Sequence, residues 1–208
     1  SDVYKRQVLE PSVGDGRFLS ALLSVCGKIE AIELFDEKVE YIRSHFQEKK
    51  LNVMKQDFLE YALKSTEKYS LIIGNPPYGR CLNMAQKFFK KSVEIADTIA
   101  FILPISQLNN TRSMYEFDLV YSEDLGIQHY TDRDLHCCFN IYRRPDSGEL
   151  NSKPVAKLKD VTIYRQDSKG YNEKDFDVRM CYWGDGSAGK ILKDDEHYSA
   201  CLLYTSDA

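Results

Sequence analysis

A strand, a glycine-rich turn and a helix follow one another in Val8-Leu9-Glu10-Pro11-Ser12-Val13-Gly14-Asp15-Gly16-Arg17-Phe18-Leu19. The short apolar run ends at Pro11, and the apolar residues of segment 17–25 recur at helical spacing. Gly14 and Gly16 allow the backbone to approach a nucleotide-like ligand closely, and the start of the helix offers unpaired N–H groups. Because a glycine pair after a strand also occurs in ordinary tight turns, the interpretation depends on the segments that follow.

Strands and helices alternate along the first half of the chain. The sequence predicts further strands at 29–34, 53–55, 70–74 and 98–103, and further helices at 37–47 and 84–96. Such alternation is typical of right-handed crossovers and of a mostly parallel sheet covered on both faces. The pattern changes near Tyr115, where two strand-like runs, 126–131 and 137–143, flank Asp132-Arg133-Asp134 and predict an antiparallel hairpin. The predicted fold class is therefore α/β.

Two acidic residues follow predicted strands. Glu33 ends the second strand, 17 residues after Gly16, where a carboxylate can accept both hydroxyls of a ribose. Asp57 ends the third strand. Because the carboxyl ends of parallel strands share one edge, we expect both carboxylates at the edge where open α/β sheets bind ligands. Either acid on its own would be interpreted as a solvated loop residue.

A double-proline segment, Ile72-Ile73-Gly74-Asn75-Pro76-Pro77-Tyr78-Gly79, comes directly after the fourth predicted strand. On its own it would be a rigid turn. The exocyclic amine of adenine is a poor nucleophile, because its lone pair is delocalised into the ring. The Asn75 side-chain oxygen and the next backbone carbonyl can accept both N–H groups of such an amine, and Pro76 and Pro77 fix that backbone. Tyr78 supplies a flat face against which an extruded base can stack.

Together these motifs resemble the N6-adenine DNA methyltransferases, in which Glu-Pro-Ser-x-Gly-x-Gly-x-Phe-Leu precedes Asn-Pro-Pro-Tyr. The resemblance implies S-adenosylmethionine as cofactor and a Rossmann-like, mostly parallel sheet of seven strands, one of them antiparallel. It implies a cofactor site made by Glu10, Pro11, Gly14, Gly16, Glu33, Asp57, Phe58 and Asn75. It implies a catalytic segment made by Asn75, Pro76, Pro77 and Tyr78.

The resemblance also implies a substrate and partners. Cys138-Phe139-Asn140-Ile141-Tyr142 is similar to the late strand whose aromatic residue lines the target-base pocket. This similarity places Phe139 beside Tyr78, the alternative being a core aromatic of the hairpin. The substrate would be double-stranded DNA with the adenine flipped out, bound by a monomer. The setting would be a bacterial or phage restriction-modification system in the cytoplasm, with a cognate restriction endonuclease as a further expected partner.

The resemblance covers residues 8–144, which we interpret as a methyltransferase domain without the helix that precedes the first strand in the family. From 145 to 200 the composition shifts toward Ser, Asn, Gly, Lys and Asp, and residues 143–193 carry 11 basic against 8 acidic side chains. A mildly basic tail is typical of a segment that contacts a partner, although a solvated surface has the same composition. We therefore predict a partial DNA-contacting, target-recognition segment at 145–200.

The two ends of the chain are related at the nucleotide level. TCA GAT GTG TAT AAG AGA CAG encodes residues 1–7, and its reverse complement, translated one base later, encodes Cys-Leu-Leu-Tyr-Thr-Ser-Asp, which stands at 201–207. Reverse-complementary ends are the mark of a transposase adapter used to prepare sequencing libraries. We therefore interpret 1–7 and 201–208 as adapter scars and expect them to pack poorly.

Composition excludes several classes of protein. With 43% hydrophobic and 12% aromatic residues the chain is not intrinsically disordered, and no apolar run approaches the ~20 residues of a membrane span. A net charge of −4 excludes a strongly basic nucleic-acid coat. Cysteines without framework spacing predict reduced, cytoplasmic thiols. No metal site is predicted, since the consecutive His136, Cys137 and Cys138 alternate across a strand and cannot converge on one ion.

Two other functions stay open at the level of sequence. Asn-Pro-Pro-Tyr also occurs in enzymes that methylate a glutamine of release factors or bases of ribosomal RNA, although those carry Asp-x-Gly-x-Gly rather than Glu-Pro-Ser-x-Gly-x-Gly. A catalytically silent DNA-binding relative would keep the same fold. The presence of Asn75 and Tyr78 together with Glu33 and Asp57 is evidence against a catalytically silent relative. A measurement of cofactor binding would distinguish a methyltransferase from such a relative.

Overall fold

The computed structural model describes residues 7–63, 67–130 and 133–154, and beyond these the backbone of three strands at 161–165, 178–181 and 200–205. The chain divides into two compact units, 1–154 and 155–208, and each is described by itself. Within the described residues, no helix is long and apolar enough to cross a membrane.

The first unit alternates strands and helices as the sequence predicts. Its strands are β1 (Gln7–Glu10), β2 (Lys28–Glu33), β3 (Leu51–Lys55), β4 (Leu71–Gly74), β5 (Thr98–Pro104), β6 (Asp118–His129) and β7 (Asp134–Arg143). Its helices are α1 (Arg17–Val25), α2 (Asp36–His45) and α3 (Asn83–Ile95). Short 3₁₀ turns lie at Phe58–Glu60, Arg80–Leu82 and Ile105–Gln107.

The seven strands form one sheet in the order β3-β2-β1-β4-β5-β7-β6. The first five strands pair in parallel, and β7 runs antiparallel to both of its neighbours, β5 and β6. The strands β6 and β7 form the predicted hairpin, in which the N–H of Tyr130 donates to the carbonyl of Arg133 at 2.9 Å. The predicted α/β fold, a mostly parallel sheet with one antiparallel strand, is confirmed.

Two apolar layers cover the sheet. One contains α3, where Phe89 packs edge-on against Tyr142 of β7 with 4.9 Å between the ring centroids. The other contains α1 and α2, which meet the sheet through Leu19 and Ile42. The absence of a side chain at Gly16 allows α1 to pack against α2, because a Cβ there would lie 2.7 Å from Ile42 Cδ1. The core therefore fixes where α1 begins, directly after the glycine turn.

The first unit ends later than the predicted boundary at 144. The segment after β7 stays with the sheet, because the N–H of Asn151 donates to the carbonyl of Glu116 at 3.0 Å and its Nδ2 donates to Asp118 Oδ1 at 2.8 Å. The boundary between the two compact units lies after Pro154. Most of the target-recognition segment predicted at 145–200 lies outside the described residues.

The described part of the second unit is an antiparallel sheet of three strands. These are β8 (Val161–Arg165), β9 (Val178–Cys181) and β10 (Ala200–Thr205), with β10 in the centre.

The backbone of both presumed adapter ends takes part in strands. Residues 201–205 belong to β10, and Gln7 begins β1, where it pairs with Lys28. The expected poor packing therefore does not extend to this backbone. The apolar and β-prone Leu202-Leu203-Tyr204-Thr205 gives a physical reason for the pairing at the C-terminal end. The adapter origin of the two ends, argued from nucleotides, stays a prediction.

Candidate active site

The sheet topology brings three loops to one edge. β1 lies between β2 and β4, and all three strands run in the same direction. The segments that follow them, 11–16, 34–35 and 75–79, therefore share the carboxyl edge of the sheet. Most of the residues singled out in the sequence lie in these segments or at the strand ends beside them. This edge is the candidate active site.

The glycine turn is bonded to Glu33. The N–H of Gly14 donates to Glu33 Oε2 at 2.9 Å. Gly14 has a φ of +56°, and no heavy atom lies within 4 Å of the position that its Cβ would take. Gly16 has a φ of +78° and a crowded Cβ position. The two predicted cofactor glycines therefore differ, since Gly14 leaves open space above the turn whereas Gly16 allows α1 to pack on α2.

Backbone amides hold the second oxygen of Glu33 as well. The N–H groups of Leu34 and Phe35 donate to Glu33 Oε1 at 2.9 and 3.1 Å. Three backbone donors thus keep this buried carboxylate in one orientation. The Leu34 and Phe35 side chains are 54% and 56% exposed, so two apolar groups lie open beside a fixed carboxylate. These two residues were not predicted as part of the site, although their position directly after Glu33 is a signal for it.

Glu10 is the buried acid of the site. It ends β1 with 1% of its surface exposed. Burial raises the pKa of the Glu10 carboxyl well above its ordinary range, and the negative charges of Asp15 and Glu33 raise it further. Its Oε2 atom is buried without a hydrogen-bond partner. Because an unpaired buried acceptor is costly, a ligand group that donates a hydrogen bond to Oε2 would be bound favourably.

Asp57 and Phe58 are neighbours in the sequence, but Asp57 lies at the edge of the sheet and Phe58 lies in the core. Asp57 follows β3 at the predicted edge, half-buried, and its Oδ1 accepts the N–H of Leu59 at 2.8 Å. Phe58 is 2% exposed and packs against Phe88, with ring centroids 5.0 Å apart. The structure therefore does not bring Phe58 to the candidate site. The 3₁₀ turn at Phe58–Glu60 points this ring into the core instead.

The Asn75 segment is attached to the glycine turn. Ser12 Oγ donates to the backbone carbonyl of Asn75 at 3.2 Å. A Cβ on Gly74 would lie 3.1 Å from Pro11 Cδ, so the ring of Pro11 approaches the end of β4 closely. Pro76 is buried and Pro77 is exposed. Two motifs that are far apart in sequence thus form one surface.

The polar groups of Tyr78, Tyr130 and Cys137 surround the side-chain amide of Asn75. The Tyr78 hydroxyl donates to Asn75 Oδ1 at 2.8 Å, and Asn75 Nδ2 donates to the Tyr130 hydroxyl at 3.1 Å. The two hydroxyls are 3.3 Å apart, and Cys137 Sγ lies 3.8 and 3.7 Å from them. Burial raises the pKa of both tyrosines, so both hydroxyls stay protonated at neutral pH.

Phe139 lies on the strand that carries Cys137. It is half-buried in β7, opposite Ile102 and Glu123 on the neighbouring strands. Side chains alternate along a strand, so Phe139 and Cys137 share a face. The sequence analysis missed Tyr130 and Cys137 because the β6–β7 hairpin, rather than a local motif, brings them to Asn75.

The backbone after Tyr78 is strained. Cys81 and Leu82 have φ values of +51° and +62°, and such left-handed conformations cost roughly 1–2 kcal/mol for each non-glycine residue. Gly79 has a φ of +67°, and a Cβ there would lie 2.2 Å from Asn83 Oδ1. The carbonyl of Tyr78 accepts the N–H groups of Met84 and Ala85. The start of α3 therefore holds the backbone that carries the Tyr78 ring.

The comparisons with known proteins give relatives at the level of fold. No family model matches the chain. A type II methyltransferase, M.CvrRI, from Paramecium bursaria Chlorella virus XZ-6E is 26% identical over 139 residues, which cover 57% of this chain and 35% of that protein. The chain thus spans about a third of the length of this curated relative.

Several solved methyltransferase structures have the same fold. A candidate RNA methyltransferase, PH1948, from Pyrococcus horikoshii has a TM-score of 0.58 at 17% identity over 69% of this chain and 76% of its own. The N-methyltransferase NodS from Bradyrhizobium japonicum WM9, in complex with S-adenosyl-L-homocysteine, has a TM-score of 0.53 at 14% identity over 68% and 79%. The 23S rRNA methyltransferase ErmE has 0.54 at 15% over 68% and 62%. At these identities the likeness shows the fold alone.

Proposed function

We propose that this chain transfers a methyl group from S-adenosylmethionine to the exocyclic N6 amine of a flipped adenine in DNA. The observation that carries the proposal is the position of Asn75-Pro76-Pro77-Tyr78. This segment follows β4 directly and is hydrogen-bonded to the glycine turn through Ser12. A hydrogen-bond acceptor for an amine thus lies next to a turn suited to a nucleotide-like cofactor.

The residues of the glycine turn fit this cofactor. When bound, S-adenosylmethionine supplies an activated methyl group on a positively charged sulfur. Glu10 Oε2 is a buried acceptor in need of a donor, which the ammonium group of the methionine moiety would provide. The open space at Gly14 would let the cofactor lie against the backbone. Glu33, held by three amide donors, still has lone pairs for the ribose hydroxyls.

The far end of the cofactor would lie between β2 and β3. Asp57 is half-buried at that edge, and its carboxylate would accept the exocyclic N–H of the cofactor adenine. The exposed side chains of Leu34 and Phe35 would cover the adenine ring, beside which the family resemblance also implies Phe58. Phe58 supports this edge from the core.

Asn75 would prepare the target amine for transfer. Its Oδ1 and the carbonyl of Pro76 would accept the two N–H groups, which favours a tetrahedral nitrogen. The lone pair of that nitrogen is then free to form the new bond to the methyl carbon, whose bond to sulfur would break with its electron pair left on the sulfur. Because the methyl group is already activated, alignment and polarisation contribute more than a strong base. The amine becomes acidic once it is methylated, so its extra proton leaves to water after the transfer.

Tyr78 and Phe139 would hold the flipped base. The strained segment after Tyr78 fixes its backbone, so its ring offers a stable stacking face, worth about 1–3 kcal/mol per base. The viral type II methyltransferase relative supports methyl transfer as the activity, and DNA as the substrate is supported by the resemblance of the glycine turn and the Asn75 segment to the N6-adenine DNA methyltransferases. The alternative substrates from the sequence analysis are RNA bases and a release-factor glutamine, and the experiment below tests both.

Labelled methyl transfer from S-adenosylmethionine tests the proposal. The purified chain is incubated with genomic DNA from a methylation-deficient strain, with ribosomal RNA and with a release factor, and the products are identified by mass spectrometry. We expect N6-methyladenine in DNA from the wild type and from Asn52→Ala, an exposed control on β3, but not from Asn75→Ala. Label in RNA or glutamine, or equal DNA labelling by Asn75→Ala, would contradict the proposal.

A further inference from the structure

The amide of Asn75 is part of a closed ring of hydrogen bonds. Asn75 Nδ2 donates to the hydroxyl of Tyr130, and the hydroxyl of Tyr78 donates to Asn75 Oδ1. The ring closes if the Tyr130 hydroxyl donates to that of Tyr78, 3.3 Å away. Each hydroxyl then donates once and accepts once, and each end of the amide has one partner.

In the structure the Nδ2 end of the amide points at Tyr130 and the Oδ1 end at Tyr78. An asparagine side chain has one end that only donates and one that only accepts. The Tyr130 oxygen accepts from Nδ2, which leaves its own proton for Tyr78 or for Cys137 Sγ at 3.7 Å. With the Tyr78 proton on Oδ1, each end of the amide has the partner that it needs. The amide is therefore turned so that Oδ1 lies on the side of Tyr78, where the target base would stack.

We propose that Tyr130 is a positioning residue that orients the Asn75 amide for methyl transfer. This inference deepens the proposed function and depends on it. The two tyrosines then have different parts in the reaction. The Tyr78 hydroxyl occupies Oδ1 in the present structure and must release it when the target amine arrives. The Tyr130 hydroxyl stays on Nδ2 and keeps Oδ1 facing the amine.

The variant Tyr130→Phe tests this inference, because it removes one oxygen and retains the ring. The matched control is Tyr121→Phe, in the strand β6 that Tyr130 directly follows, whose hydroxyl donates to Glu123 Oε2 at 2.7 Å on the exposed surface. Without the Tyr130 oxygen the amide populates both orientations. We expect kcat to fall about tenfold, the size of one ordinary hydrogen bond. KM for DNA and the affinity for S-adenosylhomocysteine should stay close to wild type, and Tyr121→Phe should leave all three unchanged.

Asn75→Asp separates positioning from a structural effect. A carboxylate has two equivalent oxygens, so the orientation no longer matters. In that background Tyr130→Phe should change kcat by less than about twofold, against about tenfold with Asn75 in place. Equal losses in both backgrounds would mean that Tyr130 only supports the fold, and this outcome overturns the inference.

A spectroscopic measurement makes the test independent of turnover. The side-chain amide protons of Asn75, assigned by their absence in Asn75→Asp, should lose protection from exchange in Tyr130→Phe but not in Tyr121→Phe. Unchanged protection overturns the inference while the proposed function stands. If the wild type methylates no adenine although its folded spectrum and Asn75 signals are intact, the proposed function fails, and the positioning part of Tyr130 fails with it.

Discussion

Glu33 ends β2 and Asn75 directly follows β4, the two strands on either side of β1, and the structure holds the two side chains in different ways. Three backbone N–H groups fix the carboxylate of Glu33, whereas two tyrosine hydroxyls hold the amide of Asn75. Backbone donors of a turn cannot leave without refolding the turn. A tyrosine hydroxyl can turn its proton away from an acceptor by rotation about its C–O bond, while the ring and the backbone stay in place.

This difference matches what each half of the site must do. The cofactor half has to receive the same small molecule in every cycle, so a fixed carboxylate and an open turn serve it well. The Asn75 half has to exchange an internal partner for an amine of the target base. Occupying Oδ1 with the Tyr78 hydroxyl keeps a half-buried acceptor paired until that exchange. The predictions below test this contrast.

The largest effect is expected at Asn75. Replacing Asn75 by Ala removes the acceptor that polarises the amine, so kcat should fall about 10²–10³-fold, as for loss of one preorganised hydrogen bond in other enzymes. The affinity for S-adenosylhomocysteine should change little, because the cofactor half keeps its own bonds. Single-turnover kinetics and calorimetry measure the two quantities. A cofactor affinity that falls as far as kcat would show that the two halves are not separate.

Gly16→Ala should be the most damaging change to stability in the glycine turn. The new methyl group would meet Ile42 Cδ1 at 2.7 Å and Phe46 Cε2 at 2.9 Å in a left-handed backbone. Overpacking and backbone strain together predict a loss of roughly 2–4 kcal/mol in the free energy of unfolding. Gly14→Ala is the matched control, with a similar φ but open space, and should lose less. Equal losses in denaturant unfolding would show that strain alone, and not the α1–α2 contact, determines the cost.

Two variants of Tyr78 should separate the contribution of its ring from that of its hydroxyl. Tyr78→Ala removes the stacking face and should weaken binding of target DNA by about 1–3 kcal/mol. Tyr78→Phe keeps that face and only frees Oδ1, so DNA binding and kcat should stay close to wild type. Fluorescence anisotropy and steady-state kinetics give both values. If Tyr78→Phe abolishes turnover, the hydroxyl takes part in the reaction and the exchange at Oδ1 described above is wrong.

The smallest effect, and the one with a pH dependence, concerns Glu10. Its pKa is raised above the ordinary value of 4.5, so its stabilising contribution is complete below that value and is lost as pH rises through the raised pKa. Glu10→Gln cannot ionise and should gain stability relative to wild type as the pH increases from about 4 to about 8. Denaturant unfolding across this range measures it. A constant difference between the two proteins would contradict a buried, protonated Glu10.

The same variant should bind the cofactor less well. A bound ammonium group would favour the ionised form of Glu10 and pair with its carboxylate, whereas glutamine stays neutral. S-adenosylmethionine should therefore raise the unfolding temperature of Glu10→Gln by less than that of the wild type. A gain in apoprotein stability together with a loss of cofactor stabilisation would assign the buried carboxyl to binding rather than to folding.

Much of the fold could be predicted because its signals are local. The helix at 17–25 and the strands on either side of it follow from apolar periodicity, and Pro11 and Gly16 mark where the first strand ends and the helix begins. The start of β6 was missed: the structure begins it at Asp118, whereas the sequence predicted Gly126. Exposed charged residues such as Glu123 and Asp124 mask the alternation there, and such charges are typical of an edge strand.

The candidate site could be predicted only as far as its motifs reach. The residues of the glycine turn, Glu33 and Asn75 stand out by sequence and come together at one edge. The packing of the Phe58 ring on Phe88 could not be predicted, because it depends on a turn that no local pattern specifies, and a contact of Phe58 with the cofactor stays a prediction. Tyr130 is 55 residues from Asn75 and carries no motif. Only the hairpin of β6 and β7 brings its hydroxyl to the amide.

Modified-base sequencing of a methylation-deficient host that expresses this chain tests the central claim most directly. The account predicts N6-methyladenine in a defined sequence context in the DNA of cells with the wild-type chain, and none in cells with Asn75→Ala present at the same level. Host DNA without N6-methyladenine, from cells in which the folded wild-type chain binds S-adenosylmethionine, would contradict it.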